Sequence, residues 1–98
     1  MTTQYNTKEQ ALEMGAYYAG YSTEEDRKRV LAGAEISDKV LGWPHSQPAT
    51  ETSPAIEKRL EVYEFENPDG IKVGIGVSRF REGYNLWLIT PDGRAVRT

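Results

Sequence analysis

The sequence predicts an α+β domain in which two N-terminal helices pack on one face of a three- to four-stranded antiparallel meander. Three observations carry that expectation. Helical spacing of apolar residues is confined to the first half, strict alternation dominates the second half, and two Pro-Asp-Gly turns punctuate the alternating runs. The 98 residues match one domain, expected to fold as a unit with a helix over 7–19, a helix over 23–43, a connector over 44–54 and an antiparallel sheet over 56–97.

The first helix rests on Asn6-Thr-Lys-Glu9 and Thr7-Lys-Glu-Gln10, overlapping capping boxes in which a side-chain oxygen and a reciprocal Glu or Gln satisfy the first amides. Ala11, Leu12, Gly15, Ala16 and Ala19 then recur at helical spacing until Gly20 offers a stop. Ser22-Thr-Glu-Glu25 is a cleaner box with Ser22 as the expected N-cap, and Glu24, Glu25 and Asp26 fill a first turn where the helix dipole favours negative charge. Val30, Leu31, Ala34 and Leu41 form one stripe and Gly33, Ile36, Val40 and Trp43 a second, so the spacing carries the helix to Trp43, where Pro44 disfavours helical backbone. Residues 44–54 hold three prolines and no large apolar side chain, which marks a connector.

The stretch Lys72-Val-Gly-Ile-Gly-Val-Ser-Arg-Phe80 has the look of a phosphate-binding glycine loop. Such a loop opens into a helix, however, and here Glu82-Gly83 leads into another strand-like run, Asn85–Thr90. Val73, Ile75 and Val77 alternate with Gly74, Gly76 and Ser78, the period of two that a strand requires. Asn67-Pro-Asp-Gly70 joins it to a preceding strand containing Leu60 to Phe65, and Thr90-Pro-Asp-Gly93 leads to a short terminal strand.

Centring the first turn on Pro68-Asp69 places Val62 opposite Ile75 and Tyr63 opposite Gly74; centring the second on Glu82-Gly83 places Val77 opposite Leu88 and Ser78 opposite Trp87. One face is then aliphatic, with Leu60, Val62, Ile71, Val73, Ile75, Val77, Leu86 and Leu88, and is the expected seat of the helices. The other carries Tyr63, Phe65, Phe80 and Trp87 over Gly74 and Gly76. Aromatic cover of strand glycines is a packing device in its own right. Two helices cover about one face of a small sheet, though, so the aromatic face is expected to stay open and to bind a partner, with Arg79 and Arg81 at its rim, unless the connector over 44–54 covers part of it.

Composition narrows the chemistry. The net charge is -3, with 5 Lys/Arg against 8 Asp/Glu in residues 1–55 and 7 of each in residues 56–98, a balance unlike that of a protein drawn electrostatically to nucleic acid. There is no cysteine, and the single histidine, His45, lies in the connector without a partner motif, so neither a metal site, a cofactor site nor a Ser/His relay is expected. Asp69 and Asp92 occupy turns that favour aspartate for backbone reasons. With no apolar run of the ~20 residues a bilayer requires and no apolar core at the N-terminus, the chain is expected to be cytoplasmic and away from membranes.

These readings lead to a small non-enzymatic module that binds a larger protein partner, an inhibitor or adaptor acting by occlusion, with a homodimer through the sheet face as a further expectation. Phage and mobile-element inhibitors of host defence are often of this size. The partner-binding residues are Tyr63, Phe65, Phe80, Trp87, Arg79 and Arg81; the rival surface is the acidic tip Glu24, Glu25 and Asp26. A single-stranded nucleic-acid binder that stacks bases on the aromatic face is the alternative, and a small enzyme comes third.

Overall fold

The computed structural model describes residues 4–42 and 45–98. Its elements are β1 (Gln4–Tyr5), α1 (Lys8–Ala19), α2 (Glu24–Ala32), β2 (Glu35–Val40), β3 (Arg59–Glu66), β4 (Lys72–Phe80), β5 (Gly83–Ile89) and β6 (Ala95–Arg97). The strands form one antiparallel sheet in the order β1-β5-β4-β3-β2, and β6 shares the outer edge of β5 with β1. The class is α+β as expected, with six strands among the described residues in place of three or four. Among the described residues no helix is long and apolar enough to cross a membrane.

α1 forms where its capping box lies. The Thr7 hydroxyl accepts a hydrogen bond from the Gln10 amide at 3.2 Å, and Gly20 ends the helix at φ 122, a conformation open to glycine. Its buried residues are Ala11, Leu12, Gly15 and Ala16. A Cβ on Gly15 would sit 2.5 Å from Ile75 Cδ1, so glycine there lets the helix backbone lie directly on the sheet.

The second helix is shorter than its apolar spacing implies. It is capped by Thr23, whose hydroxyl accepts from the Asp26 amide at 3.2 Å, rather than by Ser22, and it ends at Ala32 instead of running to 43. Residues Glu35–Val40 instead form β2, paired with β3 from Glu35↔Glu64 to Val40↔Arg59. Ile36 and Val40 are four apart, a separation that fits both a helical turn and a period of two. Gly33 interrupts the helix, and the ladder on β3 then satisfies the backbone groups that a longer helix would have satisfied internally. The end of the expected helix at Trp43 and the start of the connector at Pro44 lie outside the described residues.

The hairpin between β3 and β4 differs from expectation by one residue. The Asn67 amide donates to the Ile71 carbonyl, and the Asn67 side-chain oxygen accepts from the amides of Asp69 and Ile71, so Asn67 itself closes the turn. Tyr63 therefore pairs with Ile75 and Val62 with Gly76. A slip of one residue turns every β3 side chain over. Tyr63 and Phe65 join Val73, Ile75, Val77, Leu86 and Leu88 beneath the helices, in a core with Ala11, Leu12 and Ala16. Leu60 and Val62 move to the glycine face with Trp87 and Ile89. At the next hairpin the difference is two residues, with Gly76 opposite Trp87 and Phe80 opposite Gly83, and the faces of β4 and β5 stand as expected.

The glycine face is also covered. Leu41, Leu60, Val62 and Trp87 form a second buried cluster, with Ile89 and Ala95 packed against it. Lys39 of β2 donates through its ammonium to the Gly93 carbonyl in the β5–β6 turn, so the lateral parts of the sheet approach one another over this face. The expectation that two helices leave one sheet face open fails because the chain after β2 and the terminal hairpin fold over it.

Candidate functional site

The residues expected to form one aromatic groove are distributed over three environments. Tyr63 and Phe65 lie in the helix-side core at 7% and 6% exposure. Trp87 is in the opposite core at 2% exposure; its indole nitrogen donates to the Ser78 hydroxyl at 3.0 Å, His45 meets its ring edge-on at 5.2 Å, and the Arg97 guanidinium lies 5.3 Å from its centroid. Phe80, Arg79 and Arg81 remain exposed at the tip of the β4–β5 hairpin.

That tip is built from the backbone outward. Phe80 and Gly83 are its last pair, leaving Arg81 and Glu82 as the corner. Arg81 takes φ 56, the left-handed region that short hairpin corners require and that glycine or asparagine more often supplies. A non-glycine residue held there costs energy that the flanking structure has to offset. β1 provides part of that support: the Gln4 side-chain nitrogen donates to the Phe80 carbonyl at 2.5 Å, and a Cβ on Gly83 would fall 2.6 Å from the Tyr5 carbonyl, so only glycine lets β1 close against the hairpin.

Phe80 is 42% exposed and lies between two cations. The Lys58 ammonium is 5.6 Å from its ring centroid and the Arg81 guanidinium 5.2 Å, both within cation–π reach. Lys58 is held by its own amide, which donates to the Ser46 hydroxyl at 2.8 Å. Arg79 projects from the opposite side of β4, in register with Tyr84, and Arg59 stands nearby with its guanidinium 2.6 Å from Glu57. Sequence reasoning missed Lys58, which meets Phe80 only because β3 and β4 pair; extending the true register from Val62↔Gly76 brings 58 opposite 80.

The rival surface is less charged than its sequence suggests. Glu24 pairs with Lys28 at 2.9 Å, and Asp26 with Arg29, so two of the three carboxylates at the start of α2 are neutralised within the helix. The hydrogen bond from Lys28 holds the Glu24 carboxyl below its ordinary range. An open cleft of about 570 Å³ between β1, α1 and the start of α2 is lined by Tyr5, Met14, Tyr17 and Arg27, but the Arg27 guanidinium is already engaged by the carbonyls of Tyr21 and Ser22.

One further polar cluster joins α1 to β3. Lys8 donates to Glu61 at 3.1 Å, and the Tyr63 hydroxyl donates to the same carboxylate. Those bonds, Tyr63 first and Lys8 second, depress the Glu61 pKa; the bond to Glu61 raises that of Lys8; burial raises that of Tyr63. All three move away from neutrality, opposite to the shift that proton-transfer catalysis uses. No protein-family model, no curated protein and no solved structure matches the chain. Among the described residues the β4–β5 hairpin tip is the most developed feature of the surface.

Proposed function

We propose that the protein is a small binding module, an inhibitor or adaptor acting by occlusion, that engages an acidic surface of a larger protein through the tip of the β4–β5 hairpin. A single observation carries the reading: Phe80 is presented between Lys58 and Arg81 on a corner whose backbone is strained and braced by β1. An exposed aromatic flanked by cations fits a binding anchor, since aromatic and arginine side chains at an interface centre commonly contribute ~2 kcal/mol or more. Bracing lowers the ordering cost of docking. Lys58, Arg59, Arg79 and Arg81 against Glu57 and Glu82 make this end positive in a chain of net charge -3, which favours an acidic partner.

The same cations suit phosphates, but the burial of Tyr63, Phe65 and Trp87 removes the row of stacking platforms that single-strand binding uses. Immobilised protein would be used to capture partners from a lysate of its native source, comparing the parent with Phe80→Ala, Arg81→Glu and Glu24→Lys/Glu25→Lys. The expected outcome is loss of the captured protein with the first two variants and retention with the third. Loss only with the charge reversal on α2 would move the site to the helix tip. Salt-sensitive binding of a labelled oligo-dT that requires Phe80 would replace a protein partner with a nucleic acid.

A further inference from the structure

The sheet ends on one side in β2, and among the described residues no strand pairs with its outer edge. The Leu41 amide donates to the Lys58 carbonyl at 2.8 Å, which fixes the alternation along the strand: Glu35, Ser37 and Lys39 turn their backbone groups toward β3, while the N–H and C=O groups of Ile36, Asp38 and Val40 point outward. Natural edges are commonly blunted by proline, bulges, shortness or charged side chains. Of these β2 has only charge, in Glu35, Asp38 and Lys39, whose two signs a second copy can pair; its six residues stand in unbroken register on β3 with no proline. On the helix face of the sheet this strand also carries apolar surface, since Ile36 is 61% and Val40 46% exposed.

We infer that β2 pairs antiparallel with β2 of a second copy, about a dyad at Ser37, joining two sheets into one continuous sheet. Outward groups must meet outward groups, and a dyad perpendicular to the sheet keeps each face continuous, so the well-overlapped registers centre on Ser37 or on Asp38. Charge decides between them. Centring on Asp38 sets two like carboxylates directly opposite, which is destabilising. Centring on Ser37 sets Glu35 opposite Lys39 twice, at non-hydrogen-bonded positions where side chains approach most closely.

Each Glu35 carboxylate is 79% exposed, 3.5 Å from Lys72, and each Lys39 now rests on the neutral Gly93 carbonyl, so pairing gives the lysine a full charge partner. On the helix side Ile36 faces Asp38 and lies diagonal to Ile36 and Val40 of the second copy. This edge is remote in sequence from the β4–β5 tip, and neither proposal depends on the other. A strand pair of this length is a small interface, so the dimer is expected to be weak and concentration-dependent.

Sedimentation equilibrium over a concentration series tests it. Lys39→Glu alone and Glu35→Lys alone should each weaken dimerisation by about tenfold or more, because every attractive pair becomes a repulsive one, and the exchange Glu35→Lys/Lys39→Glu should restore it. Circular dichroism checks that each variant is folded. The chain has no cysteine, so Ser37→Cys adds a readout independent of charge: under mild oxidation it should form a disulfide-linked dimer, and Asp38→Cys should not. A parent that stays monomeric throughout, an exchange variant that does not recover, or a disulfide at 38 in place of 37 would overturn the inference.

Discussion

Leu60 covers Gly76: a Cβ on that glycine would lie 3.1 Å from Leu60 Cδ1 and 3.5 Å from Leu60 Cβ. Leu60 is 1% exposed, and Trp87 stands directly across from Gly76 on β5. The glycine is thus the floor of the second core, and its missing side chain is filled by a neighbour from β3. Gly76→Val is expected to cost about 1–3 kcal/mol by forcing Leu60 out of its place in a packed interior. The urea midpoint measures this, and a variant as stable as the parent would show that the face is loosely packed.

Thr23 caps α2, a helix of nine residues that buries no side chain completely. A helix so short depends on its cap more than one anchored by a full apolar face. Thr23→Ala should lower stability by about 0.5–2 kcal/mol through loss of the bond to the Asp26 amide, while Ser22→Ala should leave the urea midpoint unchanged. Equal effects of the two substitutions would place the start of the helix elsewhere.

The Lys8–Glu61–Tyr63 cluster predicts how stability varies with pH. Glu61 has a folded pKa below its ordinary value of 4.5, so its contribution is present above that value and is lost as the pH falls through the depressed one. Lys8 has a raised pKa, so its contribution is present below 10.5 and is lost as the pH rises through the raised value. Side-chain exposures of 38% for Lys8 and 37% for Glu61 keep the effect small through solvent screening. Glu61→Gln should be less stable than the parent at about pH 7, with the difference shrinking as the pH falls below 4.5 and through the depressed pKa. Urea titrations across that interval check it, and a difference that stays constant would mean that the carboxylate charge is immaterial.

Much of the architecture is legible in local chemistry. Thr7 and Gly20 bound α1, the Gly74/Gly76 alternation makes β4 a strand, and both Pro-Asp-Gly stretches form turns; each depends on the conformational preference of a few adjacent residues. Which β3 face meets the helices is not local. It depends on whether Glu66 or Asn67 faces Ile71, and one hydrogen-bonding pattern at Asn67 moved Tyr63 and Phe65 from the expected groove into the core. β2 was illegible for a related reason: the spacing of Ile36 and Val40 suits helix and strand alike, and only the open edge of β3 decides between them.

The candidate site divides in the same way. Phe80, Arg79 and Arg81 were visible as a cluster because they are neighbours in one strand and its turn. Lys58 and the bracing by Gln4 were invisible, since pairing across the sheet brings them there from 22 and 76 residues away. The sequence by itself determined the element types, the turns and the lack of cysteine chemistry, through backbone preferences and side-chain inventory. Only the tertiary structure decided which aromatics are buried, because burial follows from register and from what folds over each face, and a shift of a single residue reverses both.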